Sequence, residues 1–401
     1  FGDGKFLVVR VGRAPVIGGF QLTRCVKLGQ STLSDPEAAV RDLHQQISQP
    51  NASLVIFFCS SRYDLAILAN TINQLFSDTP VIGCTTAGEI GPEGYCDHSI
   101  SGASFPADHF VASVARLDSL KLAEVGRLQT FAHSLVLRHE NQKGELPNTF
   151  AMLLIDGVSQ REDAVTRTLF NSLPTIPIVG GSTGDDLVFE DTWVFHQGQF
   201  HTNSALMLLM STQCSIALVK SQHFVATDQR LVITAADPER RLVTEINGLP
   251  AAAEYARLTG VDVDDLNLMR FAASPVVVMI EGKEYVRSIR QANPDGSLSF
   301  YCAIEAGLVF RVARGVDLIE NLRLSLESVR QSLGSPQVLL AFDCVLRKLE
   351  MGQNDDTARA SALTQACNTL GFNSYGEQFG GVHVNQTFTG LAIGYPEEAQ
   401  P

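Results

Sequence analysis

The sequence predicts an α/β protein of two modules, built from repeated strand-helix-strand units with mixed sheets covered by helices. Three observations predict it. The heptad Gly83-Cys84-Thr85-Thr86-Ala87-Gly88-Glu89 recurs as Gly180-Gly181-Ser182-Thr183-Gly184-Asp185-Asp186 and as Gly371-Phe372-Asn373-Ser374-Tyr375-Gly376-Glu377, each time after an apolar run and a helix-like stretch. An offset of 97 carries Gly83 to Gly180 and one of 288 carries it to Gly371, and the second offset still holds between Ser99-Ile100-Ser101-Gly102 and Thr387-Phe388-Thr389-Gly390. Finally, 401 residues with 45% hydrophobic and 18% charged content can bury at least one large core, and the length suits two or three domains.

The elements follow in order. Asp35 can cap the free amides of a helix running to about Ile47, with Pro36 in its first turn. Leu54 to Cys59 is an apolar, β-rich run. From Tyr63 to Phe76, Leu65, Leu68, Ala69, Ile72 and Phe76 share one helical face before Pro80-Val81-Ile82 enters the heptad. In the second copy Met152 to Ile155 is the strand, Glu162 to Leu173 the helix and Pro177-Ile178-Val179 the entry, with a few extra loop residues before the strand ending Ser204-Ala205-Leu206-Met207. The third copy begins at Val338 and reaches Gly371 through a helix from about Asp356 to Leu370. Between the copies, 242–258 reads as strand, turn at Asn247-Gly248 and helix opened by Pro250. Residues 276–280, 284–290, 298–304 and 308–312 read as antiparallel strands, and a boundary falls near residue 230.

Composition excludes some classes. A net charge of -13, with 30 scattered Lys and Arg, opposes nucleic-acid binding, which needs a basic stripe to neutralise phosphates. The apolar runs fall far short of the roughly 20 residues of a membrane helix, and no leader pattern follows Phe1, so the expectation is a cytoplasmic protein without membrane contact. Eight cysteines without a C-x-x-C pair read as reduced, mostly structural thiols. Gly180-Gly181-Ser182-Thr183-Gly184 satisfies G-x-S-x-G, but the residues after it continue as loop or strand where a nucleophile elbow needs a helix.

The duplicated unit, the phrase Val243-Thr244-Glu245-Ile246-Asn247-Gly248 with Tyr255, the run Gly307-Leu308-Val309-Phe310-Arg311 and the terminal Tyr375-Gly376-Glu377 together resemble the FIST sensory family. The likeness spans nearly the whole chain, an N-terminal module within 1–230 and a C-terminal module within 231–401. The stretch from Gly376 through Phe379-Gly380-Gly381-Val382-His383-Val384-Asn385-Gln386-Thr387 to Gly390 looks like the NosP-type branch, bacterial haem proteins that sense nitric oxide. The resemblance implies a non-catalytic sensor that binds haem b and takes nitric oxide at the iron. Its signal would pass to a partner histidine kinase or cyclic-di-GMP enzyme. Other members of the family are proposed to bind small ligands, which leaves a small polar metabolite such as an amino acid as the alternative, and homo-oligomerisation open.

His383 suits an axial haem ligand. It alternates with Val382 and Val384, so His383 and Asn385 should share a strand face, where Asn385 could hold the second ring nitrogen or a bound gas. Tyr375 and Tyr95 are the next candidate ligands, although a buried tyrosine more often packs with its hydroxyl satisfied. Cys84 reads as a buried inert thiol. Glu89, Asp186 and Glu377 hold the same place in the three heptads and are expected to fix the loop, Glu377 keeping a functional alternative beside His383. Most other histidines are expected at the surface. The third copy places His383 where the first has Tyr95.

Overall fold

A computed structural model describes residues 5–11, 24–280 and 283–396; the start of the chain at Phe1, read above for a leader, lies outside them. The repeat closes into three equivalent units around one axis. Each runs strand, helix, strand, helix, strand, hairpin, strand. The first uses Lys27–Ser31, Pro36–Ile47, Ala52–Ser60, Leu65–Leu75, Val81–Thr86, hairpin 89–96 and Ile100–Pro106. The second uses Phe110–Asp118, Val125–Glu140, Asn148–Ile155, Glu162–Ser172, Ile178–Ser182, hairpin 194–201 and Ser204–Thr212. The third opens with Ile216–Gln222, then uses Leu318–Leu333, Val338–Cys344, two helices Val345–Gln353 and Thr357–Gln365, Thr369–Ser374, hairpin 377–384 and Phe388–Ile393. The third copy's helix is thus two helices, and helices 125–140 and 318–333 lie outside what the heptad offsets mark.

Local chemistry fixes the starts of these helices. Asp35 accepts the amide of Ala38 at 2.8 Å, and Asp64 accepts those of Ala66 and Ile67 at 3.0 Å, each satisfying donors that a first turn leaves free.

No unit completes its own sheet. The hairpin of the first unit leaves it and pairs with the third unit's strand, Ile90 opposite Gly371 and Glu89 opposite Phe372. The second unit's hairpin pairs with the first, Val194 opposite Cys84 and Phe195 opposite Gly83. The third unit's hairpin pairs with the second, Glu377 opposite Gly181 and Gln378 opposite Gly180. The three sheets turn their inner faces to a common core that includes Phe58, Ile82, Met152, Val179, Leu340, Phe342 and Phe372. Their outer faces are sealed by the helices of each unit, around Leu43 and Ile72, around Leu135 and Leu169, and around Leu322 and Val329. Gly181 faces the axis; a Cβ there would stand 2.7 Å from both Phe342 and Phe372.

Residues 224–315 form a separate antiparallel sheet, inserted between the third unit's first strand and its first helix. That sheet packs its own core, including Leu231, Val243, Tyr255, Phe271 and Phe310, under helices Ala251–Thr259 and Leu268–Ala273. Among the described residues no helix is long and apolar enough to cross a membrane. His139 and His223, expected at the surface, are buried: His139 sits between the hydroxyls of Ser113 and Ser211, and His223 between Arg347 and Glu350.

Phe372 joins the units, its ring 4.8 Å from that of Phe58 and 5.4 Å from that of Phe342. Phe372→Ala should lower the unfolding free energy in urea by about 3–5 kcal/mol; an unchanged midpoint would contradict a shared axial core.

Candidate functional site

The hairpin of the third unit carries the candidate site. Gly380 and Gly381 have φ of 56° and 83°, a left-handed pair that suits a two-residue turn, so Phe379 faces Val382 and Gln378 faces His383. Gln378 and His383 therefore stand side by side, and the second arm of the hairpin packs against helix Glu162–Ser172 of the unit that hosts it.

The Gln378 amide nitrogen lies 2.9 Å from Ser182 Oγ and 3.3 Å from His383 Nδ1. The amide orientation sets the tautomer: with its nitrogen donating to Nδ1, the ring's own proton lies on Nε2. The ring is 2% exposed, and Nε2 has no hydrogen-bond partner. Asn385, just past the strand, is 1% exposed, and its Oδ1 is likewise unpartnered. Both side chains converge on Gly376: a Cβ at that residue would stand 2.7 Å from His383 Nε2 and 3.1 Å from Asn385 Nδ2. The ring stands so close that a Cβ there would lie 2.2 Å from His383 Cε1, so only glycine lets the imidazole and the Asn385 amide pack against this stretch of backbone, and the polar nest they form is closed.

Charges surround the nest. Arg287, from the inserted sheet, donates to the His383 carbonyl at 2.6 Å. Arg241, from the same sheet, reaches Glu162 at 2.5 Å and Asp163 at 3.7 Å on the first turn of the covering helix. Burial lowers His383 to about 4; Asp163 opposes that shift, while Arg241 and Arg287 add to it. The imidazole is therefore neutral at physiological pH. Burial works to raise Asp163, but His383, Arg287 and Arg241 together bring it below its ordinary value. With the ring proton on Nε2, the nest offers a donor there and an acceptor at Asn385 Oδ1, with Arg287, Arg241, Asp163 and Glu162 close by.

The other candidates face elsewhere. The Tyr375 hydroxyl donates to Asp185 and accepts the amides of Asp185 at 3.2 Å and Leu187 at 2.8 Å, and its ring stacks on Phe189 with centroids 4.4 Å apart. Tyr95 lies in a different sheet and donates to Asp343 at 2.7 Å, where Asp343 also holds Arg347 at 2.6 Å. Glu377 accepts Ser374 Oγ at 2.6 Å, Thr387 N at 3.2 Å and Thr387 Oγ1 at 2.7 Å. Glu89 repeats that pattern with Thr86 and with the amide and hydroxyl of Ser99 at 2.9 and 2.7 Å.

Asp186 does not belong with these two glutamates. The second copy inserts residues before its hairpin, so the position that pairs as Glu89 and Glu377 do is Val194. Asp186 instead has φ 56° and accepts Ser60 Oγ of the first unit at 2.9 Å.

Of the predicted residues, then, the fold brings together His383 and Asn385. Sequence reading missed Gln378, Gly376, Asp163 and Arg287. The two-glycine turn could have revealed Gln378 by register; nothing local marks Asp163 or Arg287, which the fold delivers from distant segments.

Haem needs an axial lone pair inside an apolar slot. With the Gln378 amide nitrogen toward Nδ1 the ring proton lies on Nε2, and the charges of Asp163, Arg241 and Arg287 reach the ring. The residues as arranged, packed closer than a Cβ at Gly376 would allow and flanked by charges, leave no apolar slot for a porphyrin. Among the described residues no group of three or more His, Cys, Asp or Glu is placed to hold a metal ion. Ser182 is fully buried and accepts from Gln378, and no helix follows it, so no nucleophile elbow forms. Cys84 is fully buried, and burial raises its thiol well above the ordinary range.

Three α/β units that exchange hairpins around an apolar core, with the polar nest where one hairpin meets its host's helix, define the scaffold. The chain belongs to the FIST domain family: the FIST N domain matches residues 53–249 and the FIST C domain residues 251–380. Such domains are sensory signalling modules. No curated protein matches the chain. Among solved structures, PurLQS from Thermotoga maritima is similar at 9% identity and a TM-score of 0.20, over 98% of this chain and 76% of that one. PurL of T. maritima complexed with FGAR is similar at 10% identity and a TM-score of 0.19, over 97% and 77%. Likenesses so slight carry no inference about fold or function.

Burial raises both Glu89 and Glu377 from 4.5 to about 8. A carboxyl whose folded pKa is raised binds its proton more tightly when folded, so its contribution is complete below the unfolded value and is lost as pH climbs to about 8. Thermal stability should therefore fall from acidic to mildly alkaline pH, and Glu377→Gln should flatten part of that slope. An identical pH profile in the variant would contradict the raised pKa.

Proposed function

We propose that the protein is a ligand-responsive sensor that takes a small polar metabolite, amino-acid-like in carrying both acceptor and donor groups, in the nest at Gly376. One observation carries the reading: two wholly buried polar atoms, His383 Nε2 and Asn385 Oδ1, lack partners where the sequence keeps a glycine. Buried polar groups are normally satisfied, so two unpaired ones packed around one glycine point to a partner that enters as the nest opens. A ligand acceptor would take the Nε2 proton, and a ligand donor would meet Asn385. Arg287 and Asp163 supply the charges that a zwitterion would face. The signal would pass to a partner histidine kinase or cyclic-di-GMP enzyme, with the protein itself performing no reaction. The ligand does this by favouring one of two arrangements of the inserted sheet, which reaches the nest through Arg287.

Haem b with nitric oxide is the second reading, favoured by the buried imidazole of His383 with its unpartnered Nε2. It requires the Gln378 amide to turn so that Nε2 becomes bare and the polar shell to open. Bound haem would supply an iron site for the gas; the part of this chain's residues would be to hold and orient it.

Thermal-shift and calorimetric titration with a panel of amino acids and small organic acids tests the first reading. Wild type should be stabilised by at least one class. Asn385→Ala should weaken that binding about tenfold or more, as loss of a buried partner costs roughly 1–3 kcal/mol. Gly376→Ala, whose Cβ would collide with the His383 ring and displace it, should abolish it. No stabilisation of wild type by any member at millimolar concentration overturns the reading. The visible spectrum after haem addition decides the second: a Soret band that nitric oxide shifts and His383→Ala alters would place the ligand at the iron, and no band would remove haem.

A further inference from the structure

The inserted sheet carries a feature the nest does not use. Three strands, Val276–Ile280, Val309–Gly315 and Phe224–Asp237, run side by side. Val232 stands opposite Val309. Val277 faces Arg311 and Val278 faces Phe310, and continuing that register sets Met279 beside Val309. These three residues form one row across one face, and they are 36% (Val232), 51% (Val309) and 52% (Met279) exposed. Glu284, paired with Met279, closes the row at its far end.

The next row on this face runs Val286, Val277, Arg311, Arg230. Its apolar half is buried in a small cluster with Phe224 and Ala313. Its other half sets two arginines directly opposite each other. Like charges so placed oppose strand pairing, and among the described residues no hydrogen bond or ion pair meets either guanidinium. The opposite face of the sheet is already covered, over Leu231, Val278 and Phe310, by the module's own core.

An exposed apolar row of neighbouring side chains marks an interaction surface, and arginine and methionine are enriched at such surfaces. The charge balance selects the occupant. On a chain of net charge -13 with 30 basic residues, two adjacent arginines make too narrow a basic field for a nucleic-acid backbone. They match instead a pair of carboxylates beside an apolar ridge. We propose that this face of the inserted sheet docks a partner protein whose contact segment presents an apolar ridge flanked by two acidic side chains. The inference stands independently of what fills the nest.

The probes are two synthetic helical peptides with the same leucine ridge, flanked by glutamates in one and by lysines in the other, titrated by fluorescence anisotropy against the full chain. The glutamate peptide should bind and the lysine peptide should not. Arg311→Glu and Val309→Asp, both at the exposed rows, should each weaken the glutamate peptide about tenfold or more while thermal unfolding stays cooperative. Equal binding of both peptides, no binding of the glutamate peptide at millimolar concentration, or an affinity unchanged by Arg311→Glu would overturn the proposal. So would sedimentation showing a wild-type dimer that Arg311→Glu converts to monomer, which would assign the face to a second copy of this chain.

Discussion

The exchange of hairpins around the axis is the constraint on which the rest of the structure depends. Each sheet leaves an edge strand that only the next unit's hairpin covers, and those backbone groups, buried at the axis, must be paired. An unpaired buried amide or carbonyl costs more than a made hydrogen bond returns, so the exchange is enforced chiefly by what its absence would leave exposed. The three units therefore stand or fall together, and residues far apart in sequence share one core.

The exchange also gives one scaffold position three environments. The middle of each hairpin's second arm faces its host's helices, and it is occupied by Phe200, Tyr95 and His383. Phe200 packs with Phe57 and Phe195 in a dry aromatic cluster. Tyr95 is tied into a buried ionic chain through Asp343, Arg347, His223 and Glu350. His383 alone leaves a polar atom unpartnered there, its ring packed on a glycine too closely for any Cβ. The first two positions spend their chemistry on holding units together, whereas the third leaves bonding capacity unused.

The nest also draws on three parts of the fold. His383 and Gly376 belong to the third unit, Ser182 and Asp163 to the second, and Arg287 to the inserted sheet. A few residues along the same inserted strands, Arg290 lies over the ring of Phe189, which stacks on Tyr375, the neighbour of Gly376. That second contact rests on a loop in which Asp186, Leu187 and Phe189 all have positive φ. Non-glycine residues persist there only where the surroundings hold them, here through Asp185 and the Tyr375 hydroxyl. The inserted sheet thus meets the surroundings of His383 and Gly376 by two routes.

The amino-acid sequence by itself determined the repeated unit, its strand and helix types, most of the helix starts and the family, because periodicity, capping residues and glycine turns are local and survive in one dimension. It also set His383 apart from Tyr95, since an offset is enough to compare copies. It misplaced Asp186, because an insertion shifts the true equivalent to Val194 and only strand register shows where pairing resumes. Which hairpin completes which sheet, and which distant charges meet His383, were decided by the tertiary structure alone. The physical reason is that exchanged pairing leaves no local mark: a hairpin has the same sequence whether it closes on its own sheet or on its neighbour's, and closing the ring is what brings Asp163 and Arg287 to the imidazole.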